Sequence, residues 1–556
     1  MSEIRVTNLT FGYEGSSENI FEDTSFSIDT NWKLGFIGRN GKGKTTFLRL
    51  LLASQGRLNA ITGNERSDYK NRAEQNLKNT GSKRTDRKNT AEQESYEFRG
   101  SIKTDTVFDY FPYEIREEEL EQNTIDIVER IYPDYELWKI CCELDQLKTD
   151  AEILYRPFGT LSHGERTKVM LAVLFSRENY FLLIDEPTNH LDAPTRELVR
   201  DYLNSKKGFI LVSHDRWLLD GCIDHVLVLE RTGIRIEKGN FSSWWENKER
   251  RDQYERAENE KLKGEIGKLR AAAERTARWA DKVEGTKIGY DPVKEHDRGM
   301  GMRAYIGEKS RRMQQRRKNL ERRQQDAIEE KEQLLHNVEE MVSLKLMPLS
   351  HHKERLIRAE DFCLGYGDKQ VLRNFSMELK RGERIVLQGK NGCGKSSLIR
   401  EILERAGVLI NNGQAADVLK KTSGTLETAS GLIISYINQD TSHLVGSLED
   451  YIAGCGLEES LFKSVLRQIG IERSILEGVN GALERFSEGQ KKKVLIAASL
   501  IQSAHLYIWD EPLNYIDVFS RMQIEKLIQQ YQPTMLLVEH DRSFSEKCGT
   551  KIIRME

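Results

Sequence analysis

The chain is poor in the features that mark secreted, metal-clustered or membrane-spanning proteins. Its seven cysteines, Cys141, Cys142, Cys222, Cys363, Cys393, Cys455 and Cys548, are odd in number and nowhere fall in CxxC spacing. That pattern argues against metal or iron–sulfur ligation and suits a reducing compartment. No apolar run approaches the roughly 18 residues that a membrane span needs. The opening MSEIRVTNLTFGY has no basic segment followed by an apolar stretch, so a cytoplasmic protein without a secretory signal is expected. An excess of one charge sign is missing too: charged residues make up 31% of the chain, yet the formal net charge is -3. Whole-chain charge argues neither for nor against a nucleic-acid partner, and any basic surface has to be local.

What the chain does have is a long-range repeat. At 556 residues it exceeds one ordinary core, and the length prior suggests roughly two to four domains. VTNLTFGY (6–13) is echoed by AEDFCLGY (359–366), and GFIGRNGKGKTTFLRLLL (35–52) by VLQGKNGCGKSSLIREIL (386–403). LSHGERTKVMLAVLF (161–175) returns as FSEGQKKKVLIAASL (486–500), YFLLIDEPTNHLD (180–192) as LYIWDEPLNYID (506–517), and ILVSHDR (210–216) as LLVEHDR (536–542). Unrelated elements keep one order twice, which predicts two homologous domains, 1–244 and 350–556, flanking an intervening segment.

Gly38 to Thr45 and Gly389 to Ser396 both satisfy GxxxxGK[ST], each after a strand-like stretch (KLGFI, RIVLQ) and before a helix-like run. In that context Gly38, Asn40, Gly41 and Gly43, and likewise Gly389, Asn391, Gly392 and Gly394, turn backbone N–H groups toward phosphate oxygens at a helix N-terminus. Lys44 and Lys395 would neutralise the β- and γ-phosphates. Thr45 and Ser396 would present hydroxyls to Mg²⁺, with Thr46 and Ser397 following in the same turn. FLLIDEP and LYIWDEP read as buried strands ending in two carboxylates. Asp185 and Asp510 are placed to hold Mg²⁺, and Glu186 and Glu511 to polarise an attacking water. His214 and His540 follow further strands, each succeeded by Asp-Arg, and are assigned to sensing the γ-phosphate.

Together these motifs resemble those of ATP-binding cassette ATPases, over both halves. The resemblance implies an α/β fold of two tandem P-loop domains and ATP with Mg²⁺ as cofactors. It also implies that Ser162 with Gly164, and Ser487 with Gly489, clamp ATP held by the opposite half, so that Lys44 faces Ser487 and Lys395 faces Ser162. Tyr13 and Tyr366 resemble the aromatics that stack on adenine; the alternative is a strand-end core or turn role. Gln439 stands where the family has a glutamine touching the γ-phosphate and Mg²⁺, whereas FDYFPYE puts Tyr113 at the first half's equivalent place. Two unequal sites are expected.

The segment from Trp244 to Leu346 turns to Lys, Glu, Arg and Gln. Leu262, Ile266, Leu269, Ala273 and Thr276 follow 4-3-4-3 spacing, and Leu320, Ala327, Leu334 and Met341 recur every seven residues. Two antiparallel helices paired along a seam account for both patterns, with a glycine-rich tip near 285–310 and the hairpin over 245–346. Between Arg298 and Arg323 stand ten Lys/Arg against two acids, the local excess expected of phosphate contacts. Arg311, Arg312, Arg316, Arg317 and Lys318 would hold RNA; Met300, Met302 and Tyr305 would pack or stack at the tip.

Tandem cassettes, such a hairpin and no membrane segment resemble the ABC-F family of ribosome-associated ATPases. Stretches such as YRPFGTLSHGE, LYIWDEPLNYIDVF and HHK (351–353) are similar to its Lsa-type antibiotic-resistance branch. The resemblance implies a monomer with paired domains that enters the exit site of the bacterial 70S ribosome. There it would meet 23S rRNA and exit- or P-site tRNA. It would protect the peptidyl transferase centre from lincosamides, streptogramin A compounds and pleuromutilins. The alternatives are a housekeeping translation factor and, less in keeping with the charged hairpin, a transporter ATPase. With 47 residues between Tyr113 and Leu161 there is little room for the arm that housekeeping members carry. A polar insertion over 55–95, nearly devoid of aliphatics, departs from the family and is expected to be a disordered loop.

Overall fold

The computed structural model describes residues 3–13, 19–54, 96–189, 191–230, 233–285, 344–367, 369–408, 420–471, 475–476 and 482–555, with 311, 315, 318–319, 322–323, 325, 327–328 and 331. The insertion at 55–95 lies outside them. The chain divides into two compact units, Met1–Trp244 with Met341–Glu556, and Trp245–Glu340.

In the first cassette, β1 (Glu3–Tyr13) and β2 (Phe21–Asp29) pair antiparallel. The continuous apolar run of β3 (Lys33–Ile37) is buried on both faces, as a parallel strand covered by helices requires. It leads into α1 (Lys44–Ala53), and β4 (Tyr96–Lys103) then joins β1 on its other edge. Next come β5 (Val107–Phe111), α2 (Thr124–Ile131), α3 (Leu137–Gln146) and α4 (His163–Phe175). The remainder is β6 (Tyr180–Asp185), α5 (Ala193–Ser205), β7 (Phe209–Val212), α6 (Arg216–Cys222), β8 (His225–Glu230) and β9 (Gly233–Lys238). The main sheet runs β5-β6-β7-β3-β8-β9, parallel but for the final hairpin. All phosphate-side loops therefore leave the same carboxyl ends of the strands.

After α7 (Phe241–Gly285) the second cassette repeats the plan. It comprises β10 (Arg355–Tyr366), β11 (Lys369–Lys380), β12 (Arg384–Gly389), α8 (Lys395–Arg405), β13 (Lys420–Thr428) and β14 (Ile434–Ile437). Then follow α9 (Leu448–Gly454), α10 (Glu459–Gln468), α11 (Glu488–Ile501), β15 (Leu506–Asp510), α12 (Val518–Tyr531), β16 (Met535–Val538), α13 (Arg542–Cys548) and β17 (Lys551–Met555). Its parallel sheet runs β14-β15-β16-β12-β17. The repeat extends to irregularities. β1 bulges at Asn8 (φ 48) and β10 at Asp361 (φ 47), each opposite a positive-φ glycine, Gly100 or Gly424. A Cβ at those glycines would come within 2.4 Å of Asn8 O or 2.2 Å of Asp361 O, so no other residue fits the bulge.

Helix α7 runs 45 residues from Phe241 to Gly285, all but its first turn belonging to the second unit, and the described residues between 311 and 331 are helical. Ile266 and Ile328 are buried, Leu262, Leu269 and Ala327 half-buried, and an ion pair joins Lys331 to Glu265. Of the first arm's five spaced positions, Ile266 is thus buried and Leu262 and Leu269 half-buried. Among the second arm's described residues Ile328 is buried and Ala327 half-buried, while Leu320, Leu334 and Met341 lie outside them. Arg311 and Lys318 are exposed on helical backbone. Met300, Met302, Tyr305, Arg312, Arg316 and Arg317 lie outside the described residues.

Candidate active site

Both P-loops are held by local chemistry. Gly43 has φ 99 and a Cβ there would sit 2.3 Å from Ile20 Cγ2; Gly394 has φ 96 and would sit 2.8 Å from Val371 Cγ1. Each glycine caps the next helix in a left-handed conformation closed to side chains. Gly38, Asn40 and Gly41, with Gly389, Asn391 and Gly392, complete the two turns. The Lys44 ammonium folds back to donate to Gly38 O at 2.8 Å and Arg39 O at 3.1 Å. Lys395 does the same to Gly389 O at 2.8 Å and Lys390 O at 3.0 Å.

In the first cassette Asp185 Oδ2 accepts from Thr45 Oγ1 at 3.1 Å and from the Tyr110 hydroxyl at 3.1 Å. Glu186 takes a left-handed φ of 50, and its buried Oε1 bonds to nothing among the described residues. His214 Nε2 stands 3.4 Å away. Burial, reinforced by Asp185, pushes the Glu186 carboxyl up to about 8. Burial with the Lys44 and Arg521 charges holds His214 well below its usual range, hence neutral.

The second cassette differs. Glu511 (φ 46) accepts from Gln439 Nε2 and from Asn514 Nδ2, each at 2.8 Å, with His540 Nε2 3.5 Å from its other oxygen. Burial raises the Glu511 carboxyl, but His540, Lys395 and Lys492 outweigh it and hold the group below its usual value. Asp510 is pushed up to about 6 by burial against the Ser396 hydroxyl, and its Oδ1 is buried without a partner among the described residues. Thr45 with Asp185, and Ser396 with Asp510, are hard-oxygen pairs of the kind Mg²⁺ takes. The orphaned carboxylate oxygens fit that ion.

Tyr113 and Gln439 stand two residues past the last paired residues of β5 and β14, so they share a place in the sheet. Their side chains do not. The Tyr113 hydroxyl donates to Asp109 Oδ2 at 2.7 Å, and Asp109 also pairs with Arg177 at 2.8 Å. Tyr113 therefore belongs to a structural cluster rather than to the Asp185–Glu186 site. Tyr110 reaches Asp185 instead, a role the sequence does not signal, whereas its counterpart Tyr436 bonds Asn438 at 3.3 Å. Thr46 lies 3.4 Å from the Tyr13 hydroxyl, and Ser397 and Tyr366 are half-buried in the second cassette.

The two cassettes meet at the first P-loop. Asn40 Nδ2 donates to Tyr515 O at 2.7 Å. A Cβ on Gly489 would lie 3.3 Å from Asn40 Nδ2, so the start of α11, capped by Ser487, rests against Lys44's loop. Behind it the buried pair Lys493–Asp517 closes at 2.8 Å, and Asp517 supplies the largest attraction opposing burial at Lys44. Ser162 caps α4 in the same manner, with Gly164 in its first turn. Lys492, overlooked in the sequence, is buried beside Asp510 and Glu511 and donates to Asn438 O at 2.9 Å.

Among known proteins, the family model described as ABC transporter matches residues 21–189 and 372–514, more than half the chain. The ribosome protection protein VmlR of Bacillus subtilis is 26% identical, over 98% of this chain and 86% of that protein. ABC transporter F family member 5 of Arabidopsis thaliana is 25% identical, over 100% of this chain and 75% of its own. The solved structure of RNase-L Inhibitor matches with a TM-score of 0.53 at 18% identity, covering 99% of this chain and 87% of that one, a likeness of fold. Among the described residues no helix is long and apolar enough to cross a membrane. Two P-loop cassettes, repeated motif by motif in one chain, make this protein an ATPase that belongs to the ABC transporter family.

Proposed function

We propose that the protein is a cytoplasmic ABC-F ATPase that binds the bacterial 70S ribosome and protects its peptidyl transferase centre. The reading rests chiefly on end-to-end similarity to a protein named for ribosome protection, joined with the local basic excess at 298–323. Lys44 and Lys395 would each hold a magnesium nucleotide, with Ser487 and Gly489 closing on the first and Ser162 and Gly164 on the second. Glu186 and Glu511 would orient the attacking water, and His214 and His540 would hold the γ-phosphate. The closed monomer would seat the hairpin in the exit-site region against 23S rRNA and exit- or P-site tRNA. Arg311, Lys318 and neighbouring cations would anchor it, and the tip around Met300, Met302 and Tyr305 would displace drug. Hydrolysis would then release it.

Expression in a susceptible bacterium tests this. Tolerance to lincosamides, streptogramin A compounds and pleuromutilins should rise, and Lys44→Ala with Lys395→Ala should abolish the rise. Unchanged tolerance with the protein well expressed contradicts protection and leaves an ABC-F translation factor.

A further inference from the structure

The cassette interface has a matched pair of positions that the two halves fill differently. Asp192 and Asp517 cap α5 and α12, and Asp215 and Asp541 cap α6 and α13. Counting from those caps, Val199 matches Ile524 and Leu203 matches Ile528, all buried. Arg200 therefore matches Glu525, and Arg216 matches Arg542. On one side Arg216, two residues after His214, makes an ion pair with Glu525 of the other cassette, both side chains buried. Lys547 Nζ adds a second cation 3.9 Å from Glu525.

On the other side the same places hold two arginines. The Arg200 stem packs over Gly221, where a Cβ would meet its Cδ at 2.5 Å. Its guanidinium lies 3.7 Å from the Trp217 ring centroid, and that of Arg542 lies 6.0 Å from the same ring. Each is answered within its own cassette, Arg200 by Asp201 at 2.6 Å and Arg542 by Glu546 at 2.9 Å. Across the cassettes Arg542 meets the Trp217 ring and the attraction of Glu197, but among the described residues no buried ion pair stands there.

We propose that Arg216 and Glu525 are positioning residues for the Lys44 nucleotide site, and that the Arg200–Trp217–Arg542 stack leaves the Lys395 site without the corresponding tie. The pair fixes the turn carrying His214 against α12, whose capping Asp517 stands beside Lys44. Removing Arg216 leaves buried Glu525 only Lys547 at 3.9 Å, and removing Glu525 strands the buried Arg216 charge, so closure over Lys44 depends on both. The mirrored contact has only stacking and screened charges. The two sites therefore release nucleotide at different rates. This rests on the reading that Lys44 and Ser487 share one composite site.

The test follows release of N-methylanthraniloyl-ATP from the Glu186→Gln/Glu511→Gln protein, with Lys44→Ala and Lys395→Ala assigning a slow and a fast phase. Arg216→Glu and Glu525→Arg should each speed the slow phase about ten-fold or more, and the double reversal should restore it to within about three-fold. Arg200→Glu, which gives Arg542 a second acidic partner beside Glu197 in the first cassette, should slow the fast phase about ten-fold and leave the slow phase alone. A double reversal no better than either single, or two phases that shift together, overturns the proposal. Ser487→Glu separates the underlying reading: an unchanged slow phase refutes the composite site, while its loss with Arg216→Glu silent refutes only the pair.

Discussion

Asp109 collects the Arg177 guanidinium and the Tyr113 hydroxyl, and Arg177 also lies 4.5 Å from the Tyr132 ring and donates to Ile131 O at 2.7 Å. One residue type, tyrosine in place of glutamine, thus turns a nucleotide-facing position into a strut between the sheet and the α2 end. Arg177→Met should lower stability by about 3 kcal/mol, because Asp109 stays buried without its charge partner; urea unfolding measures it. Tyr113→Phe should cost only about 1 kcal/mol and leave turnover near wild type. Gln439→Ala, which frees Glu511, should reduce turnover in the same assay.

Acid should act through Asp517. Burial raises its carboxyl, but Lys493 at 2.8 Å outweighs burial and holds it well below the usual range. A group depressed on folding stabilises fully above its unfolded value of roughly 3.9, and the contribution fades as pH falls through the folded value. Unfolding free energy should therefore drop below about pH 4, and Asp517→Asn should flatten that slope. A slope as steep in Asp517→Asn as in the native chain would contradict the assignment.

At the scale of elements, the motifs were legible where the chemistry is local. The SHGE and SEGQ stretches, singled out as signature motifs, fold as capping boxes: Ser162 and Ser487 accept from the backbone N–H of Glu165 and Gln490, each at 3.3 Å, and those side chains return the bond. Ser162→Ala and Ser487→Ala should each cost about 1 kcal/mol of stability, read by thermal melting, alongside any loss of turnover. The strands flanking each P-loop likewise fall where apolar runs place them. Contacts made across the chain were not legible. Nothing near Glu525 or Arg200 signals that one pairs with the other cassette and the other stacks on Trp217. Tyr110 and Tyr436 share a sheet position yet bond different partners.

For the whole molecule, two cassettes in one chain make the contact of Asn40 with Tyr515 intramolecular, and Trp244 packs edge-on to Phe519 of the second cassette at 6.2 Å. In the proposed function, nucleotide-driven closure of the cassettes is the control on ribosome binding. Phosphate contacts by exposed Arg311, Lys318, Arg322 and Arg323 should make that binding weaken with salt. Replacing them should lower the slope of log affinity against log salt by about one per cation removed. The most direct measurement is co-sedimentation of the Glu186→Gln/Glu511→Gln protein with bacterial 70S ribosomes. The protein should pellet with ribosomes in ATP and stay in the supernatant in ADP; equal pelleting in both nucleotides, or none in ATP, would contradict an ATP-gated ribosome-binding protein.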